Sequence, residues 1–259
     1  MKKALLIGIN YIGTTSELQG CINDIMNIKI YIMKTYSIKE KNIMILCDNI
    51  NNKPNYDNIL KAFDWLMLGA KKGDSLFMHY SGHGTWKLDK NNDEEDRRDE
   101  FICPLDYINK GFISDDLINT KLVMKVPKDV KLTCIFDCCH SGTIMDLKYG
   151  LKRIGNSDII TENKLIKNKP NGNIMMLSGC MDLQTSADTT ETNILTNKIQ
   201  NQGALTWGFL ELMKINKNKI KINKFVKQIQ DLMKIKKYTQ LPQVSFNKYP
   251  NLNDNFILL

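Results

Sequence analysis

Two stretches decide how this chain is read: Ser75-Leu76-Phe77-Met78-His79-Tyr80-Ser81-Gly82-His83-Gly84, and Val130-Lys131-Leu132-Thr133-Cys134-Ile135-Phe136-Asp137-Cys138-Cys139-His140-Ser141-Gly142. In each, a run of strand length rich in apolar residues stops at a glycine-bearing loop that carries histidine or cysteine. Such runs suit strands buried on both faces, the situation in parallel sheets covered by helices. Working outward, residues 3–9, Ile43–Cys47, Ile174–Leu177 and Val244–Phe246 read as further strands. Apolar residues recur at helical spacing over 21–35 (Ile22, Ile25, Met26, Ile30, Met33) and over Tyr56–Leu68, Leu117–Val126, Ala204–Ile215 and Ile222–Met233. Strands alternating with helices predict an α/β fold: a central, mostly parallel sheet flanked by helices. In such sheets ligands bind beyond the carboxyl ends of the strands, where both quoted loops fall.

Composition narrows the classes. With 259 residues, 42% hydrophobic and 25% charged, the chain suits one large globular domain and excludes collagen-like and disordered classes. No apolar run reaches the ~18 residues of a membrane span. The apolar stretch in Met1–Asn10 is too short for a signal peptide and reads as the first strand, so a cytoplasmic protein is expected. Seven cysteines, an odd number, point to reduced thiols rather than a disulfide framework. Contiguous Cys138-Cys139-His140 lacks the ligand spacing of a zinc site. The net charge of +8 is concentrated between Lys198 and Gln240, where ten lysines face only Glu211 and Asp231. A nucleic-acid footprint is the alternative reading of that tract. Its helical spacing, poverty in arginine and few aromatics favour a solvated helix face.

His83 lies between two glycines just after one buried strand, and Cys139 follows another 56 residues later. A cysteine attacks as its thiolate, which a neighbouring imidazole promotes. The flanking glycines permit close approach of a substrate, and the Gly84 N–H is a candidate oxyanion donor. Asp24 and Asp137 are harder to explain, because carboxylates near a thiolate oppose its formation. A pocket for a cationic side chain supplies the reason, since a buried guanidinium or ammonium requires charge partners. The acidic residues of 93–100, with Asp115, Asp116 and Asp146, form a second constellation with the oxygen ligands that hard cations prefer.

The two quoted motifs resemble those of metacaspases, the arginine/lysine-specific relatives of caspases. The resemblance continues through Leu18-Gln19-Gly20-Cys21-Ile22-Asn23-Asp24, Asp93-Glu94-Glu95-Asp96, Ile113-Ser114-Asp115-Asp116, the segment from Ser178 to Asp188, and Gly203-Ala204-Leu205-Thr206. It implies a caspase-like fold and a thiol protease that cleaves protein and peptide substrates after Arg or Lys. It makes His83 the general base and Cys139, directly before His-Ser, the nucleophile, with Gly84 and Cys139 as backbone oxyanion donors. Cys138 is then a packing residue, His140 a loop-shaping one and His79 a core histidine. The resemblance puts Cys21, Asp24, Ser81 and Asp137 in the first specificity pocket. It also implies activation by calcium held at Asp99, Asp115, Asp116 and Asp146, although Arg97-Arg98 replaces the family's usual Gly-Tyr beside that site.

A single domain over 1–259 is expected: a large-subunit-like part (1–147), an exposed linker (148–172) and a small-subunit-like part (173–259). Because the chain begins at its first strand, a minimal monomeric form without an N-terminal prodomain is expected. Self-cleavage in the linker would fall at Lys148, Lys152, Arg153, Lys164, Lys167 or Lys169. A catalytically silent scaffold binding basic peptides is the competing reading, but its expected mark, loss of His83 or Cys139, is absent.

Overall fold

The computed structural model describes residues 1–88, 97–154, 157–179, 188–193, 195 and 199–259. The acidic Asp93–Asp96 stretch and residues 180–187 of the Ser178–Asp188 motif lie outside the described residues. In chain order the elements begin with β1 (Lys2–Gly8), α1 (Cys21–Tyr36), β2 (Ile43–Cys47), α2 (Tyr56–Met67) and β3 (Ser75–Ser81). Then come β4 (Gly84–Leu88), β5 (Arg98–Ile102), α3 (Tyr107–Lys110), β6 (Ile113–Ser114), α4 (Asp115–Lys121) and β7 (Lys131–Asp137). The remainder is β8 (Tyr149–Ile154), β9 (Ser157–Glu162), β10 (Asn173–Ser178), β11 (Asp188–Thr192), β12 (Ile199–Gly203), α5 (Ala204–Ile215), α6 (Ile222–Ile235) and β13 (Gln243–Phe246).

Eight strands form the main sheet in the order β2-β1-β3-β7-β10-β13-β8-β9. The first five run parallel, and β13, β8 and β9 add antiparallel pairings. Each face has its own core. Ala4 and Leu6 of β1 pack with α1, α5 and α6, whereas Leu5 and Ile7 pack with α2 and α4. That two-sided burial is why the strands read as continuous apolar runs, each fully buried Leu or Ile contributing about 1.5–3 kcal/mol. On α6, Ile222, Phe225, Val226, Ile229 and Met233 are buried while Lys224, Lys227 and Lys234 are exposed, so these lysines form a solvated helix face. Among the described residues, no helix is long and apolar enough to cross a membrane.

Two local expectations are corrected. The helix expected over 117–126 starts at Asp115 and ends at Lys121, followed by a 3-10 turn over Val123–Lys125. Ser114 sets its start, its Oγ accepting from the Leu117 N–H at 3.2 Å. The 148–172 segment is not an exposed linker throughout, because β8 and β9 form a hairpin that extends the main sheet through β13. Tyr149 and Leu151 of β8 and Ile160 of β9 pack on the core formed with α5 and α6. Polar residues alternate with these, which made the segment look like loop; it is a strand with one wet face. Lys148 and Arg153 are tied to Glu162 (2.9 Å) and Asp158 (3.0 Å) across this hairpin. Among the described residues of 149–172, the stretch after Glu162 is irregular, with Lys164, Lys167 and Lys169 exposed. Brief trypsin digestion should therefore cut after Lys164 or Lys167 well before Lys152 or Arg153, as mass spectrometry of the fragments will show; early cleavage after Arg153 would contradict this pairing.

Candidate active site

A row across the carboxyl ends of three neighbouring strands sets the site. Gly8 of β1 pairs with Ser81 of β3, and Ser81 pairs with Asp137 of β7. Two residues beyond this row stand His83 and Cys139. The two loops touch: a Cβ on Gly84 would run into the Cys139 carbonyl oxygen, so only glycine permits this approach. Gly8 has the same duty towards α1, because any side chain there would collide with the Cys21 carbonyl and Ile25. With Gly8 bare, the first turn of α1 settles onto the sheet and carries Asp24 over Ser81.

His83 is held on several sides. Its Nε2 lies 2.8 Å from the Ser16 carbonyl oxygen. A carbonyl can only accept, so Nε2 carries a proton and Nδ1 is left to exchange one. The His83 N–H donates to Tyr11 Oη at 3.0 Å, Tyr11 Oη donates to the Cys103 carbonyl at 2.6 Å, and the Tyr11 and His83 rings lie 4.7 Å apart. Burial holds the Tyr11 hydroxyl far above the ordinary tyrosine range, so it stays a donor. Tyr11 adopts φ 52°, a left-handed conformation unusual for a bulky residue, in order to reach this position.

The adjacent cysteines differ in environment. Cys138 is 1% exposed and belongs to the core on the α2 and α4 face. Cys139 is partly exposed, and the other five described cysteines are buried. Burial pushes the Cys103 thiol up to about 12 and raises Cys134 and Cys47 as well, which makes them poor nucleophiles. After Cys139 the chain turns sharply through His140 (φ 49°), and Ser141 Oγ closes the turn on the Cys138 carbonyl at 3.0 Å. The His140 ring meets the edge of Trp86.

Beside this corner two carboxylates are buried. Asp24 accepts from Ser81 Oγ at 2.7 Å and from the Gly203 N–H at 2.9 and 3.0 Å. Asp137 Oδ2 accepts from the N–H and the hydroxyl of Thr206, both at 2.8 Å. These partners are neutral donors, and they come largely from the start of α5, whose N-terminal N–H groups and macrodipole favour negative charge. Asp24 likewise lies in the first turn of α1, with Cys21 buried at its start. A Cβ on Gly203 would strike both carboxylates, so the chain passes between them with no room for a side chain. The structure thus brings Asp24, Ser81 and Asp137 together in one buried cluster.

The second acidic constellation is less convergent. Asp115 is 3% exposed, and its oxygens accept from the backbone N–H groups of Glu100 (2.6 Å) and Asp116 (2.7 Å). Burial raises its carboxyl to about 6. Asp146 sits at a left-handed position (φ 49°), and Asp99 pairs across the hairpin with Lys87. The donor chemistry of these carboxylates suits a hard cation. Their placement does not, because among the described residues no three His, Cys, Asp or Glu side chains gather closely enough to hold a metal ion. Arg98 lays its guanidinium on the Trp86 ring at 4.0 Å, and Arg97 is exposed. Glu100 is completely buried and receives the Thr143 hydroxyl at 2.5 Å, joining β5 to the loop after Cys139.

Several of these residues escape sequence reasoning. Tyr11, Ser16 and Glu100 act through contacts between distant loops, which no local pattern announces. Gly203 and Thr206 stood inside a quoted motif but carried no role until α5 was placed against β7.

The chain matches the sequence profile of the metacaspase peptidase C14 domain over residues 2–148. It is 37% identical over 264 residues to Metacaspase-3 of Trypanosoma brucei brucei, covering 99% of this chain and 74% of that one. It is 35% identical over 291 residues to Metacaspase-1A of Neurospora crassa, covering 94% of this chain but only 62% of that relative. Caspase-1 of Spodoptera frugiperda superposes with a TM-score of 0.50 at 11% identity, over 94% of this chain and 85% of that one, a likeness of fold alone. An eight-stranded mixed sheet with helices on both faces and a histidine loop packed on a cysteine loop defines a caspase-like peptidase. The chain belongs to the metacaspase family of cysteine peptidases.

Under limiting iodoacetamide, Cys139 should be alkylated at least about ten-fold faster than any other described cysteine, because it combines access with a neighbouring imidazole. Peptide mapping checks this, and comparable labelling of Cys138 would contradict the burial described.

Proposed function

We infer that the protein is an endopeptidase that cleaves after Arg or Lys through Cys139 and His83. The observation that carries this reading is the pair of buried carboxylates, Asp24 and Asp137, flanking Gly203 beside the cysteine loop. The donors described for these buried acids are neutral groups, and a substrate guanidinium or ammonium reaching the two carboxylates would bring charge of the opposite sign. Cys21 and Ser81 complete the proposed pocket.

In the reaction proposed, Cys139 Sγ attacks the scissile carbonyl after His83 Nδ1 takes the thiol proton. The oxyanion is received by backbone N–H groups of Gly84 and Cys139. His83 then gives the proton to the leaving amine, and water, deprotonated by the same nitrogen, hydrolyses the thioester. The bond from Nε2–H to Ser16 and the Tyr11 clamp support this role by keeping the ring in one orientation throughout.

Calcium enters the proposal only as a conformational ligand, with no chemical step assigned to it. Binding would have to draw Asp99, Asp115, Asp116 and Asp146 together, and these lie on three segments already in contact: the Glu100 N–H of β5 donates to Asp115 at 2.6 Å, and Asn119 of α4 donates to the Met145 carbonyl at 3.1 Å. Self-cleavage is proposed at Lys164 or Lys167. Lys152 and Arg153 would first have to leave the sheet, and Lys169 precedes Pro170, a poor residue on the leaving side of a scissile bond. A monomer is proposed as well, because the β8–β9 hairpin covers the edge of β13.

Fluorogenic peptides ending in Arg, Lys or Asp test the reading. Arg and Lys peptides should be cleaved and Asp peptides ignored. Cys139→Ala should abolish activity, Cys138→Ala should keep most of it, and Asp137→Ala should lower kcat/KM roughly 100-fold or more through the carboxylate it removes. Efficient cleavage after Asp would overturn the specificity. For calcium, Asp115→Ala with Asp116→Ala should remove a stimulation seen in wild type; full activity of chelator-treated wild type would remove calcium from the account.

A further inference from the structure

Two residues before Ser81, on the same face of β3, stands a histidine that the mechanism above does not use. His79 is 0% exposed, and its Nε2 lies 3.0 Å from Thr206 Oγ1. The same Thr206 oxygen lies 2.8 Å from Asp137 Oδ2. The direction of this chain follows from its end. A carboxylate oxygen has no proton to offer, so the Thr206 hydroxyl donates to Asp137 and uses a lone pair to accept. His79 must then carry its proton on Nε2. The arrangement leaves Nδ1 as a lone pair without a partner, which costs less in the interior than a stranded N–H. Complete burial lowers the imidazole's pKa to about 3, so the ring is neutral at any working pH.

We propose that His79 is a positioning residue for substrate specificity, fixing the Asp137 carboxylate through the Thr206 hydroxyl for two-point contact with an arginine guanidinium. This rests on the reading of Asp24 and Asp137 as the pocket for a basic side chain. The Thr206 N–H is immobilised by α5, but the hydroxyl is a rotor with several staggered positions. A histidine carrying its proton on Nδ1 would offer the hydroxyl a competing acceptor and draw it away from Asp137. The Nε2–H tautomer closes that route and makes the carboxylate the hydroxyl's acceptor. A neutral donor is also what the pocket requires, because an imidazolium one hydroxyl away from Asp137 would offset the charge reserved for substrate. Guanidinium is a rigid planar fork that depends on carboxylate orientation, whereas ammonium is a compact point charge that tolerates misalignment. Loss of the His79 contact should therefore weigh on arginine substrates more than on lysine ones.

The test compares kcat/KM on matched Arg and Lys peptides for wild type, His79→Leu, His79→Gln, Thr206→Val and the double variant His79→Leu/Thr206→Val. His79→Leu and Thr206→Val are each expected to raise KM for the Arg peptide about ten-fold, with a smaller change in kcat and a several-fold fall in the Arg-to-Lys ratio. The double variant should be no worse than Thr206→Val alone, and His79→Gln, whose Nε2 amide donates along the same line, should keep the ratio near wild type. An unchanged ratio in folded His79→Leu, or additive losses in the double variant, would overturn the proposal. Should His79→Leu not fold, long-range proton–nitrogen NMR of the Cys139→Ala protein decides. The Nε2–H tautomer, with a nitrogen shift that moves in Thr206→Val, supports the relay, and an Nδ1–H tautomer overturns it. A wild-type enzyme that cleaves neither peptide overturns the pocket reading itself, a result distinct from an unaltered ratio in the variants.

Discussion

The hydrogen-bond register between β3 and β7 is the constraint on which the rest depends. Pairing Ser81 with Asp137 places a hydroxyl and a carboxylate side by side on one face. It also leaves His83 and Cys139 the same two residues beyond the sheet. A slip of one residue would turn Asp137 to the opposite face and bring Cys138 into the position now held by Cys139. The slip is resisted because β7 is buried on both sides, with Leu132, Cys134 and Phe136 in one core and Ile135 in the other. Exchanging those faces would misplace every one of them. The packing of two cores thus decides which cysteine stands level with His83 beyond the sheet.

The same row explains how two carboxylates are tolerated in the interior. Each is met by donors that bring no charge: a serine hydroxyl, a threonine hydroxyl, and N–H groups at the start of α5. Helix N-termini supply partial positive charge without a titratable group, which favours the ionised form of an acid held there. A Cβ at 203 would collide with both acids, as one at 84 would collide with the Cys139 carbonyl, so glycine lets the chain pass closely at each. Stability and recognition here use one set of contacts, which is why removing a single member is expected to alter selectivity as well as turnover.

Much of the fold was legible because strands buried on both sides leave a simple mark. β1, β2, β3, β7 and β10 read as apolar runs, and their order with the amphipathic helices led to the α/β sheet. The β8–β9 hairpin was not legible. Charged residues stand on both of its faces, Lys152 on one and the Arg153–Asp158 pair beyond Leu151 on the other, so its alternation is diluted below what a short window shows. At the site, His83, Cys139, Asp24 and Asp137 stood out because reactive or charged residues beside buried strands are costly without a purpose. Tyr11, Glu100 and Thr206 did not, since each works by touching a residue far away in sequence. His79 is the instructive case. As a lone histidine in a strand it read as core, which it is, and only the placement of α5 revealed that its one hydrogen bond leads to the pocket.

In the function proposed above, one corner joins the nucleophilic thiol of Cys139 to the two buried carboxylates that receive a basic side chain. A crystal structure of the protein inactivated with a peptidyl-arginine chloromethyl ketone tests it most directly. The account predicts a thioether at Cys139 Sγ and a guanidinium within hydrogen-bond distance of the Asp24 and Asp137 carboxylates. Alkylation at Cys138, or an arginine side chain lying away from both carboxylates while they keep only their present donors, would contradict it.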